Sequence, residues 1–148
     1  MLLATWGGVG LVRIAPGTAG SLAAIPFAWA IAAAGGASAL GLAILAVFAA
    51  GIWASAYVGR SGETDSGAIV VDEVAGQWIA LLPVIAAPQL WPLAFGLFRV
   101  LDIVKPWPAS RVDRTMHSAF GVMLDDVIAG LYAGAVLWAG IEIWQYLV

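Results

Sequence analysis

Between Arg13 and Arg60 the sequence contains no charged side chain, and this apolar stretch limits what the chain can fold into. Residues 38–58 alone are long enough to cross a bilayer as a helix, which takes roughly 17–25 residues. Residues 21–35 before them are apolar but short for a full span. The chain is 63% hydrophobic and 10% charged, whereas about a quarter of the residues in soluble domains are charged. This balance indicates a membrane protein and excludes a disordered, coiled-coil or nucleic-acid-binding chain.

Three more apolar segments follow, at residues 68–87, 90–104 and 120–147. Pro83 is expected to kink the first of them, and the Lys-Pro-Trp-Pro run at 105–108 to end the second. The spacing of Gly130 and Gly134 in the third lets helices approach closely. We predict one all-α domain over residues 1–148, an integral membrane bundle of about four to five transmembrane or re-entrant helices.

Two polar segments, residues 59–67 and 105–119, are expected to be loops. With five helices they lie on the same side as the N-terminal segment, and the opposite side has no Lys or Arg. The positive-inside rule places the basic side in the cytoplasm, in a multi-pass topology. The pattern leaves open whether residues 21–35 cross the membrane or re-enter it, and re-entry would move the C-terminus to the other side.

Charged residues within the apolar segments gather near one membrane face, except Glu142, which is near the opposite end. Two acidic pairs, Asp72-Glu73 and Asp125-Asp126, lie near the starts of predicted helices. Arg99 and Asp102 lie in the last turns of another predicted helix. Ionisable groups are costly in apolar segments and tend to be functional. We therefore expect a charged site at the cytoplasmic face.

The acidic pairs suggest a metal site. Carboxylates packed together in a low dielectric repel, so they must hold protons, pair with cations or bind metal. Oxygen ligands in a chain with no cysteine and one histidine suit Mg²⁺. The candidate ligands are Asp72, Glu73, Asp125 and Asp126. Ion pairing with nearby basic residues is the alternative that needs no metal.

Other residues suggest phosphate binding. Arg99 and Lys105 share a helical face with Asp102. Arg99 could bind a phosphate with two parallel hydrogen bonds, and Lys105 could bind it through its ammonium charge. Lys105 could instead reach lipid headgroups. Thr18 stands in the Pro-Gly-Thr-Ala-Gly-Ser run at 16–21, before a helix whose first N–H groups could face an anion. An ordinary helix cap at Thr18 or Ser21 is the alternative. His117 is typical of a solvated loop histidine.

These residues stand in motifs that resemble the phosphatidylglycerophosphatase A family along nearly the whole chain. The motifs are LAT at 3–5, PGTAGSLAAIP at 16–26, D-x-G-x-I-V-x-D-E at 65–73, F-R-x-x-D-I-x-K-P-W-P at 98–108, D-R at 113–114 and G-x-M-x-D-D-x-x-A-G at 121–130. One departure is Ser118-Ala119, where we expect a Gly-Gly pair after the histidine.

The resemblance implies a Mg²⁺-dependent phosphatase of the bacterial inner membrane, acting on phosphatidylglycerophosphate to give phosphatidylglycerol and phosphate. The expected catalytic residues are Asp72, Asp102 and Asp126. The expected phosphate-binding residues are Thr18, Ser21, Arg99, Lys105 and Arg114. Direct attack by water and a phospho-enzyme formed on an aspartate or Thr18 both stay open. We expect the lipid substrate and the bilayer as partners, with no nucleic acid and no obligate protein partner.

A small ion transporter that uses the carboxylates as a cation path is the alternative function. Transport sites usually lie near the bilayer midplane with access from both sides. The charged residues here are predicted to lie near one face, which favours the phosphatase.

Overall fold

The computed structural model describes residues 2–61 and 68–147, the side chains of residues 59–61 excepted. Most of the described residues are helical, and none of them forms a strand. The main helices are α1 (Pro16–Ser61), α2 (Val71–Leu81), α3 (Trp91–Val104), α4 (Ala109–Thr115) and α5 (Ala119–Leu147). Short 3₁₀ turns occupy Val9–Leu11, Leu82–Val84 and Pro88–Leu90.

The long α1 is interrupted by a reversal at Gly35 and Gly36, whose backbone angles are not helical. A Cβ on Gly20 would lie 2.8 Å from Val70 Cβ, and one on Gly51 would lie 3.3 Å from Val71 Cγ1. In a straight helix Gly20 and Gly51 would be about 46 Å apart at 1.5 Å per residue. The chain therefore folds back into two limbs, residues 16–34 and 37–61. The reversal lies between the two predicted apolar segments, 21–35 and 38–58. The predicted start of the first segment is wrong, because the helix begins at Pro16. Thr18 and Ser21 therefore lie inside its first turns and do not cap it.

Helix α2 is the centre of the bundle, and all of its residues except Asp72 and Glu73 are buried. It packs closely on α5, where a Cβ on Gly130 would overlap the carbonyl oxygen of Gly76. Trp78 Nε1 donates a hydrogen bond of 2.8 Å to the Ala24 carbonyl oxygen in the first limb of α1. The small residues of α5 thus allow the close helix approach that the glycine spacing predicts.

Two predictions about this region are wrong. The third helix does not extend over 68–87, because the α-helix ends at Leu81 and Leu82–Val84 form a 3₁₀ turn around Pro83. Proline has no N–H to continue the helix, so Pro83 ends it instead of kinking it. The predicted loop 105–119 contains the helix α4. The predicted loop 59–67 lies largely outside the described residues.

The outer surface of the bundle is strongly apolar. Large hydrophobic side chains are exposed along α1, α3 and α5, among them Leu42, Ile103 and Trp138. Two stretches, Pro16–Val58 and Ala119–Leu147, are long and apolar enough to cross a membrane by length and composition. Exposed apolar patches of this extent mark interaction surfaces. The fold is therefore compatible with membrane association.

Candidate functional site

A cavity of about 370 Å³ lies where α2 begins, α3 ends and α5 begins, with α4 beside it. We call it the acidic cavity, because its lining contains Asp72, Glu73, Asp102, Asp113, Asp125 and Asp126, together with Lys105 and His117. The acidic residues that the sequence places near one end of three different helices are thus brought around one volume, whereas Arg99 does not line it and contacts Asp102 instead.

Three of the four predicted metal ligands form a compact group at the start of α2. Asp72, Glu73 and Asp126 each offer a carboxylate oxygen, and these oxygens lie within 4.8 Å of one another. Asp72 and Glu73 are in the first turn of α2, where the helix dipole favours negative charge. Glu73 Oε2 is buried and has no hydrogen-bond partner among the described residues. This three-carboxylate group fits a hard divalent cation, since one oxygen from each carboxylate converges here and Glu73 also has a buried oxygen without a hydrogen-bond partner.

Asp125, the fourth predicted ligand, is directed away from this group. Neighbouring residues on a helix point about 100° apart. Asp125 Oδ2 accepts a hydrogen bond from Lys105 Nζ, whereas Asp126 offers an oxygen to the group with Asp72 and Glu73 of α2. Lys105 Nζ also donates to Asp113 Oδ1 at 2.7 Å. Partial burial lowers the pKa of Lys105, but the hydrogen bonds from its ammonium to Asp113 and Asp125 outweigh that effect and raise the pKa above its ordinary value. Lys105 therefore stays charged.

Arg99 connects α3 to the start of α1. Its Nη1 lies 2.8 Å from Asp102 Oδ2 and donates to Ser21 Oγ at 3.2 Å. Ser21 Oγ in turn donates to the Gly17 carbonyl oxygen at 2.9 Å. Arg99 Nε is buried with no hydrogen-bond partner among the described residues, so the guanidinium has donor capacity that these contacts do not use.

The glycine-rich run at 16–21 packs directly on the site. A Cβ on Gly17 would overlap Glu73 Oε1 and come within 3.2 Å of Arg99 Nη2. Gly17 is therefore needed for the close approach of α1 to both side chains. Thr18, the next residue, is half-buried in the same helical turn.

Of the predicted phosphate-binding residues, Lys105 alone lines the acidic cavity, whereas Ser21 and Arg99 are connected to it through Asp102. Arg114 lies apart from these residues. It is exposed on α4, where its Nε donates to the Ser110 carbonyl oxygen at 2.9 Å, and it is not among the residues lining the acidic cavity. Asp113 and His117 line the cavity instead, although the sequence reasoning assigned neither to the site. The Asp-Arg motif at 113–114 is the sequence feature that could have assigned Asp113 to the site.

The Ser118-Ala119 departure lies at the start of α5. Ser118 Oγ accepts a hydrogen bond of 3.2 Å from the Gly121 N–H. This is an N-cap, which satisfies one of the free donors at a helix start. The departure thus gives α5 a side-chain cap that a glycine could not provide.

Comparisons with known proteins agree on one family. The profile of the family described as phosphatidylglycerophosphatase A matches residues 2–141. The phosphatidylglycerophosphatase A of Escherichia coli strain K12 is 38% identical over 93% of this chain and 80% of its own length. The Haemophilus influenzae protein of the same name is 39% identical over 97% of this chain and 89% of its own length.

A third relative has a different name. This Bacteroides thetaiotaomicron protein, provisionally named a phosphatidylinositol-3-phosphatase, is 37% identical over 90% of this chain and 87% of its own length. No solved structure matches the chain significantly.

Proposed function

The chain belongs to the phosphatidylglycerophosphatase A family, and from this premise we propose that it hydrolyses phosphatidylglycerophosphate to phosphatidylglycerol and inorganic phosphate. It is a lipid phosphatase of phosphatidylglycerol synthesis. The observation that carries the proposal is the three-carboxylate group in the acidic cavity, with the Arg99 guanidinium close to Glu73 at Gly17. Such an arrangement suits a phosphate ester, whose oxygens need positive charge around them.

Mg²⁺ is the proposed cofactor, held by Asp72, Glu73 and Asp126. When bound, it would neutralise charge on the phosphoryl oxygens and orient the ester. The unpaired Glu73 Oε2 supports this assignment, as does the preference of Mg²⁺ for a small number of carboxylates together with substrate oxygens. Asp125 is no longer a proposed ligand, because its carboxylate is paired with Lys105.

The remaining residues bind and orient the substrate. Arg99 contributes charge-assisted hydrogen bonds to the phosphate through donors that Ser21 and Asp102 do not use. Asp102, which is buried and paired with Arg99 Nη1, holds that guanidinium in place. During hydrolysis, the ester P–O bond breaks, water supplies the oxygen that joins phosphorus, and a proton passes to the leaving glycerol oxygen.

The proposed setting is the bacterial inner membrane. Four to five helices cross or re-enter it, with the acidic cavity at the cytoplasmic face. The apolar outer surface of α1, α3 and α5 and the one-sided distribution of basic residues support this arrangement. A lipid phosphate can then enter the cavity while its acyl chains stay in the bilayer. No observation favours an ion transporter, and the close contact of α2 with α5 at Gly76 and Gly130 leaves little room for an ion path there.

The test is phosphate release from phosphatidylglycerophosphate by the protein purified in detergent. We expect release with Mg²⁺, loss of release with EDTA, and recovery when Mg²⁺ is returned. Glu73→Gln should abolish release, whereas Glu142→Gln, which neutralises an exposed carboxylate far along α5, should not. Phosphate release that EDTA does not reduce would refute the proposed metal requirement. No release from folded protein would refute the substrate assignment.

A further inference from the structure

The acidic cavity contains a second convergence of charged side chains, separate from the three-carboxylate group. Lys105 Nζ donates to Asp113 Oδ1 at 2.7 Å and also to Asp125 Oδ2. Asp113 belongs to α4 and Asp125 to α5, while Lys105 follows the last residue of α3. One ammonium group therefore joins three helices at the edge of the proposed reaction site.

The two carboxylates surround a single point. Each of their oxygens lies about one hydrogen-bond length from the same nitrogen, so the two oxygens can be no more than about 6 Å apart. Without the ammonium, two negative charges from different helices would face each other across this gap. Such a pair must take up a cation, hold a proton or move apart.

Lys105 also ends α3. Its φ of 47° and ψ of 66° are left-handed, which is a common conformation at the C-terminal end of a helix, and its N–H donates to the Leu101 carbonyl oxygen at 2.9 Å. From this position its side chain reaches carboxylates of both α4 and α5.

We propose that the acidic cavity has two cation positions: the three-carboxylate group takes a divalent ion, and the ammonium of Lys105 permanently fills a second position between Asp113 and Asp125. In two-metal phosphatases a second metal ion supplies the corresponding charge. An ammonium has three N–H donors. Two are used by the carboxylates, and the third is available to a phosphoryl oxygen. The inference rests on the proposed metal-dependent function.

The test counts bound Mn²⁺ per chain by electron paramagnetic resonance, with metal-stripped protein in detergent. Lys105→Met should bind one more Mn²⁺ than the unaltered protein, because the vacated carboxylate pair then takes the ion. Lys105→Arg keeps the charge and should bind no additional ion. The matched control is Arg111→Met, which removes the same charge from an exposed position on α4 and should also bind no additional ion.

Equal Mn²⁺ counts for Lys105→Met and the unaltered protein would overturn the proposal, and so would an equal gain in Arg111→Met. If Lys105→Met does not fold, the proposal is tested with the double variant Lys105→Met/Asp125→Asn. It should fold and bind no additional Mn²⁺, because only the Asp113 charge then remains and no second charge faces it. Failure to fold would overturn the proposal. Failure of the unaltered protein to bind Mn²⁺ would contradict the proposed metal dependence, which is a separate outcome.

Discussion

The contact between Gly17 and the site leads to a quantitative prediction for Gly17→Ala. The added methyl group would overlap Glu73 Oε1 and crowd Arg99 Nη2, so the carboxylate must move by about 1 Å. A misplacement of about 1 Å can cost about 100-fold in rate. We therefore expect kcat/KM for phosphatidylglycerophosphate to fall about 100-fold, while the variant still folds because the crowded atoms are side-chain ends. The assay is phosphate release in detergent, together with thermal unfolding.

Two other glycines of α1 serve as controls. Gly20→Ala would place its Cβ 2.8 Å from Val70 Cβ, which should cost about 1–3 kcal/mol in stability with little change in kcat/KM. Gly41→Ala meets open space and should stabilise its helix by about 0.5–1 kcal/mol. Normal turnover in Gly17→Ala would refute the reasoning, and so would an equal loss of turnover in all three variants.

Three further predictions concern single side chains. Asp126→Asn should abolish phosphate release from a folded protein, because the three-carboxylate group loses a charged ligand; full activity would remove Asp126 from the site. Arg99→Lys should lower kcat/KM by about 10–100-fold through the loss of charge-assisted hydrogen bonds. The control Arg111→Lys, on the exposed side of α4, should leave kcat/KM unchanged. Equal effects of the two variants would contradict our placement of the phosphate. Gln77 is fully buried with both amide atoms unpartnered among the described residues, so Gln77→Met should raise the free energy of unfolding by about 1–3 kcal/mol. A lower melting temperature for that variant would show that the amide has a partner.

The sequence predicts a helix well where an apolar segment is bounded by residues that start or end helices. Trp91–Val104 and Ala119–Leu147 lie close to the predicted segments 90–104 and 120–147, because Pro106 ends the first and Ser118 caps the second. Helix α4 could not be predicted in this way. Its residues are mainly polar and have no apolar periodicity, and the helix forms against α5 with Ala109 as its buried residue.

The sequence predicts which charged residues lie at the same end of their helices, but it does not predict which way each side chain faces. Positions along the helices place Asp125 and Asp126 at the same level as Asp72 and Glu73. Which aspartate faces α2 depends on how α5 is turned about its axis. That rotation is set by the close packing of Gly130 on Gly76, a tertiary contact between distant segments that the local pattern does not encode.

The shortness of α2 has a consequence for biogenesis. A helix of 11 residues is too short to span a bilayer alone, and its first turn holds two acidic residues. In the folded protein α5 packs on α2 at Gly130 and Gly76, so each helix covers part of the other. Because the proposed metal ligands come from both α2 and α5, the site can assemble only after these two helices have packed together, and a chain cut before α5 should have no activity.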